Sequence, residues 1–116
     1  MGQEKIYDLE ERSYIFAKNC RLVVSKLNRT ISNIEDGKQL IKSSGSIAAN
    51  YIEANEKLGD KDFKFRLKIA RKEAKESILW LKLLRDLNAM ERLEIEDLIQ
   101  EANELRKILL TIITKT

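Results

Sequence analysis

The sequence predicts an all-α protein, an antiparallel up-down-up-down four-helix bundle, and three observations carry that expectation. The 116 residues contain no proline and only four glycines, too few turn-formers for a sandwich or barrel of this length. Hydrophobic residues make up 43% and charged residues 35%, with Leu, Ile, Lys, Glu and Ala dominant, which is the composition of long amphipathic helices. Apolar residues recur at spacings of three and four along four successive segments. A chain of this size builds one core, so residues 1–116 read as a single domain with helices over about 9–30, 35–58, 61–87 and 91–114.

In helix 1, Phe16, Ala17, Cys20, Val23, Val24, Leu27 and Ile31 mark one buried face. Ser32-Asn33 and Asp36-Gly37 then supply a turn and a cap. In helix 2 the apolar face is Leu40, Ile41, Ser44, Ile47, Ala48, Tyr51, Ile52 and Ala54. Gly45 interrupts that pattern at a cost of about 1 kcal/mol relative to Ala, which implies close approach of another backbone. Gly59-Asp60 ends helix 2 and caps helix 3. Asn88 and Ala89 leave only a tight connection to helix 4, whose Ile95, Leu98, Ala102, Leu105, Leu109 and Ile112 alternate spacings of four and three. Short connections make successive helices antiparallel neighbours.

Helix 3 carries more than a core face. At 100° per residue, Phe63, Leu67, Ala70, Ala74, Ile78 and Leu81 form the stripe expected to face the bundle core. Phe65, Ile69, Leu79, Trp80, Leu83 and Leu87 form a second apolar stripe. It reads either as a wide contact within the bundle or as a subunit interface, with Phe65, Ile69, Trp80 and Leu83 at its centre. Lys61, Lys64, Lys68, Arg71, Lys72, Lys75 and Lys82 form a third stripe that is purely basic. It is either a solvated face or a ridge for phosphates, and its first six members fall within residues 61–75. The formal net charge is only +3, but residues 60–87 hold nine Lys/Arg against five Asp/Glu while residues 90–116 hold four against six. Phe63 and Phe65 lie off the basic stripe, so base stacking is not supported.

Catalytic chemistry finds little to work with. There is no histidine, which removes the commonest general base and metal ligand. The lone Cys20 sits on an apolar face and reads as core, and as a single cysteine it fits a reducing compartment. No glycine-rich phosphate loop occurs. Glu73 and Glu76 are three apart, but without a histidine they read as structural, and neither a metal nor a cofactor is expected. Ser46, Asn50 and Glu53 share one side of helix 2 and read as a buried hydrogen-bonded network reaching Glu73, Glu76 or Lys72 of helix 3. No apolar run approaches the roughly 20 residues that span a bilayer. Met1-Gly2 opens like a myristoylation site, but Ile6 stands where Ser or Thr is required. No signal-peptide core follows the start, so the expected location is the cytoplasm.

The run Ser44-Gly45-Ser46-Ile47-Ala48-Ala49-Asn50-Tyr51-Ile52-Glu53-Ala54 resembles the motif of a four-helix-bundle family, the 23S rRNA intervening-sequence proteins. So does the run from Lys61-Asp62-Phe63 through Leu67-Lys68-Ile69-Ala70-Arg71-Lys72-Glu73-Ala74-Lys75-Glu76 to Trp80-Leu81, and the likeness extends to Tyr14–Ala17. The resemblance implies an up-down-up-down bundle assembled as a ring-shaped homopentamer. It also implies a fold shared with the accessory protein of diversity-generating retroelements, which looks like a basic pentamer binding nucleic acid and a reverse transcriptase. It implies no activity, because the family takes its name from a genomic context.

The functional expectation is a non-enzymatic oligomer that binds nucleic acid, RNA or DNA, through Lys61, Lys64, Lys68, Arg71, Lys72 and Lys75. The alternative is a homo-oligomeric scaffold that binds another protein and whose lysines only solubilise it.

Overall fold

The apolar residues of each segment gather on one side, and burying that side produces the fold. The computed structural model describes residues 2–56 and 58–116, with side chains from Leu9 onward; Met1 and Lys57 lie outside the described residues. The helices are α1 (Gly2–Lys26), α2 (Ile31–Asn55), α3 (Asp60–Leu87) and α4 (Arg92–Lys115), with one 3-10 turn at Ala89–Glu91. Phe16, Leu40, Ile47, Leu67, Leu81, Leu84, Ile95, Leu105 and Leu109 are fully enclosed between them. Each such side chain stabilises the fold by about 1.5–3 kcal/mol relative to an exposed one.

Each helix packs against its neighbours in sequence, and α1 closes onto α4, so α1 and α3 lie on a diagonal. Residue pairing shows the antiparallel order. Arg12 pairs with Glu101 and Lys26 with Glu94 across α1 and α4. Ser43 meets Ser77, and Asn50 meets Arg66, across α2 and α3. In both seams the numbers rise on one helix and fall on the other.

The expected boundaries shift where local chemistry differs from the first reading. Helix α2 starts at Ile31, ahead of the expected Glu35, because Thr30 caps it: the extended Thr30 accepts the Asn33 N–H on Oγ1 at 3.1 Å. Asp36-Gly37 is therefore no turn. Gly37 is buried within the helix, where a Cβ would stand 3.0 Å from Val24 Cγ1. Ile31, counted with the first core face, begins α2 and is exposed. Helix α2 stops at Asn55, short of the expected Leu58. Gly59, at φ +138°, is the N-cap of α3, a backbone that only glycine adopts without strain, and Asp60 is already helical.

Gly45 does mark a close approach, but of a side chain rather than a backbone. The Arg21 guanidinium lies over it, 3.1 Å from where a Cβ would be, and donates to the Ala17 and Ile41 carbonyls. On α3, Phe63 and Ile78 only border the core, whereas Ser77 and Leu84 join it fully. On α4 the last buried position is Ile113, with Ile112 beside it. Ile52 of α2, expected inside, is exposed.

Two buried polar clusters tie α2 to the far side of the chain. Ser43 and Ser77 share a hydrogen bond of 2.8 Å, and Ser77 also donates to the Glu73 carbonyl. At the end of the bundle Asn33 and Asn88 form a reciprocal amide pair, at 2.9 and 2.8 Å. Their remaining amide hydrogens go to the Asn28 and Leu84 carbonyls. Every N–H of this pair is thus satisfied out of water. Asn88→Ala orphans the Asn33 amide, and the expected loss is about 1–3 kcal/mol of unfolding free energy. Urea denaturation will show it as a lower midpoint with an unchanged slope.

Candidate nucleic-acid interface

Helix α3 presents one side to the core and one to solvent. Leu67, Ala70, Ala74, Ser77, Leu81 and Leu84 are buried. Ser77 and Arg66 look toward α2, and Arg85 lies beside Glu96 and Ile99 of α4. The opposite side is divided along its length.

Its first half is basic. Lys61, Lys68, Lys72 and Lys75 are exposed, and Lys64 and Arg71 beside them are half-buried. Lys68, Arg71, Lys72 and Lys75 line a shallow surface depression with Glu76 and Leu79. The ion pair from Lys72 to Glu76, at 3.9 Å and one helical turn away, is the one such contact any of the six cations makes among the described residues. The ridge is therefore largely uncompensated, which suits an anionic ligand. Glu73 stands at its margin. Burial, reinforced by the Glu76 carboxylate, pushes the Glu73 carboxyl above its ordinary range, against the pull of Lys72 and Lys42.

Its second half is apolar, and the sequence-derived stripe divides there. Leu79, Leu83 and Leu87 are exposed, and so is Phe65 further up the helix at 59%. Ile69 is half-buried. Trp80 is also half-buried and packs against the core of its own bundle. Its indole N–H is enclosed with no hydrogen-bond partner among the described residues. Trp80 is thus anchored inward, and the exposed members of the stripe are Phe65, Leu79, Leu83 and Leu87.

The expected polar network forms only in part. Asn50 donates to both the carbonyl and the hydroxyl of Ser46 and accepts from Arg66 of α3 at 3.5 Å. Glu53 is exposed and stays outside it. Neither the Glu73 nor the Glu76 carboxylate reaches α2 by a hydrogen bond among the described residues; Glu76 pairs with Lys72, and Glu73 feels Lys42 of α2 as well as Lys72. Asn33, Asn88, Ser43 and Ser77 hold the buried interhelical side-chain hydrogen bonds instead. Only long-range pairing could have revealed them, since each pair is separated by more than thirty residues.

Cys20 is fully buried, and burial pushes its thiol up to about 12 against the weaker pull of Ser44 and Arg21. It is a neutral thiol near pH 7 and no nucleophile. Among the described residues no group of acids and cysteines is placed to hold a metal ion, and no helix is long and apolar enough to cross a membrane.

Fold and surface together define a helical-bundle protein whose third helix has a charged and apolar exterior. The chain belongs to the 23S rRNA-intervening sequence protein family, whose model matches residues 6–111. It is similar to a crystal structure of a protein of unknown function from the S23 ribosomal protein family of Bacteroides thetaiotaomicron. The two share 30% identity and a TM-score of 0.82, over 95% of this chain and 98% of that one. No curated protein matches the chain.

The shifted Glu73 carboxyl gives a pH test. A carboxyl held above its ordinary value of 4.5 favours the folded state while protonated, and that contribution is lost as pH rises through the folded value. Glu73→Gln should therefore raise the melting temperature slightly at pH 7 and leave it unchanged at pH 3, as read by circular dichroism.

Proposed function

We propose that the protein is a non-enzymatic, self-associating RNA-binding protein that holds phosphates along the outward side of α3. The observation that carries this reading is the row of Lys61, Lys68, Lys72 and Lys75 in solvent, flanked by Lys64 and Arg71, with so little acid to neutralise it. Phosphates are recognised by charge and need no base-specific contact, so binding is salt-sensitive and tolerant of sequence. The family's connection to 23S rRNA, and the ribosomal family of the Bacteroides neighbour, agree with RNA as the ligand and with a cytoplasmic setting. Self-association is supported by the exposed Phe65, Leu79, Leu83 and Leu87, because large apolar side chains clustered on one face mark interfaces. Several ridges in one assembly would engage one RNA with much greater avidity than a single ridge.

A scaffold for another protein is the second reading, favoured by the same apolar residues. Salt titration separates the two. With wild type, affinity for structured RNA should fall steeply from low to physiological salt. Changing Lys64, Lys68 and Lys75 together to Ala should weaken binding and flatten the slope of log affinity against log salt. Each lost contact removes about 0.7 on a single strand and about 0.9 on B-form DNA. Helical content should be unchanged, since none of the three supports the core. No binding by wild type at low salt, or identical curves for both proteins, would remove the RNA reading and leave the scaffold.

A further inference from the structure

A cavity of about 590 Å³ opens at the end of the bundle where α3 begins, lined by Gly59, Asp60, Lys61, Phe63, Lys64 and Thr116. Sites for small ligands span about 300–1,000 Å³, so a nucleotide-sized molecule has room there. Lys61 and Lys64 are the first two cations of the ridge, and the ridge therefore runs into the cavity. Phe63 packs against the core and still lines the cavity, which holds its ring in place. Gly59 keeps the mouth clear, since a Cβ there would meet nothing within 4 Å. Asp60 is exposed and has no ion pair among the described residues. Helical spacing puts Phe63 off the basic stripe; the cavity, wrapping around the first turn of α3, brings the ring and both lysines into one lining.

We infer that this cavity receives the 3′-terminal nucleotide of an RNA strand whose phosphates lie along the ridge. The inference rests on the RNA reading above and names the part of the RNA that the end of the ridge takes. Three chemistries meet in the cavity, and a terminal ribonucleotide carries the complement of each. Its base has a π-face that stacks on an aromatic side chain whatever the base, and Phe63 is the aromatic residue of the lining. The phosphate that joins it to the preceding nucleotide is an anion, and Lys61 and Lys64 are cationic donors. Its ribose hydroxyls donate, and an ionised carboxylate such as that of Asp60 accepts on both oxygens. Only the 3′-terminal nucleotide of an RNA has its 2′- and 3′-hydroxyls both free. Interior nucleotides have given the 3′-oxygen to the next phosphate, and DNA lacks the 2′-hydroxyl. Asp60 thus selects an RNA end. An acidic peptide would suit the two lysines but be repelled by Asp60, whereas the nucleotide uses all three charged residues.

Fluorescence anisotropy at low salt tests this with three forms of one short single-stranded RNA, each labelled on an interior nucleotide. One is linear with an ordinary 3′ end, one is linear and ends in a 2′,3′-dideoxynucleotide, and one is closed into a circle. Wild type should bind the ordinary linear form about tenfold more tightly than the circle, with the dideoxy form between them. Asp60→Ala should bind the two linear forms alike. Phe63→Leu should bring both linear forms down toward the circle. Both variants should keep wild-type helicity by circular dichroism, because Asp60 is exposed and leucine leaves an apolar side chain against the core. Changing Lys68, Lys72 and Lys75 together to Ala should weaken all three forms and leave their order unchanged. Equal binding of linear and circular RNA by wild type would overturn the inference while leaving the ridge its phosphates. A preference for ends that survives in both Asp60→Ala and Phe63→Leu would overturn it equally. If Phe63→Leu loses helicity, Asp60→Ala decides alone: a dideoxy form still bound more weakly than the ordinary one counts against the cavity. Wild type that binds none of the three would instead remove the RNA reading itself, and this inference with it.

Discussion

A helix in a four-helix bundle has one side to give to the core, and on α3 that side is already complete. Leu67, Ala70, Ala74, Ser77, Leu81 and Leu84 occupy it, three of the six being small. Small residues let α2 and α3 meet through hydroxyls, as at Ser43 and Ser77, and leave no cavity for the larger side chains nearby. Phe65, Leu79, Leu83 and Leu87 therefore have no place inside their own chain. They stand in solvent on the outward side of α3, along with the lysines of the basic ridge.

Charge follows the same division. Cations concentrate on α3 and acids on α4, and most ion pairs join neighbours within one helix or link α1 to α4. Exposed pairs of this kind contribute little to stability. Their distribution matters more for the field around the protein: on the outward side of α3, Glu76 is the one acid that pairs with the cations of the ridge among the described residues. The buried polar groups do different work. The Asn33–Asn88 pair sets the first turn of α2 against the α3–α4 connection, and a slip of either helix would break it.

Much of the fold was legible in the sequence because helical periodicity is a local signal. The α4 heptad from Ile95 to Leu109 and the alanines of α3 were placed inward by spacing alone, and so was Cys20. The start of α2 was misread because Asp36-Gly37 looks like a turn, while the true cap, Thr30, is recognised only by the extended backbone that lets Oγ1 reach Asn33. Leu84 continues the spacing of Leu81 and could have been assigned to the core. The polar network was misassigned for another reason: Glu53 shares a helical side with Asn50 but stays exposed, and spacing alone does not tell which residues of one side meet a neighbouring helix.

The claim at the centre of this account is that RNA meets the protein along the outward side of α3. Lysine acetylation footprinting with and without structured RNA, read residue by residue by mass spectrometry at low salt, tests it most directly. Lys61, Lys64, Lys68, Lys72 and Lys75 should be protected by RNA, while exposed lysines elsewhere, Lys18, Lys38 and Lys107, should react at the same rate in both conditions. Protection spread evenly over all of these lysines, or confined to those outside α3, would contradict it.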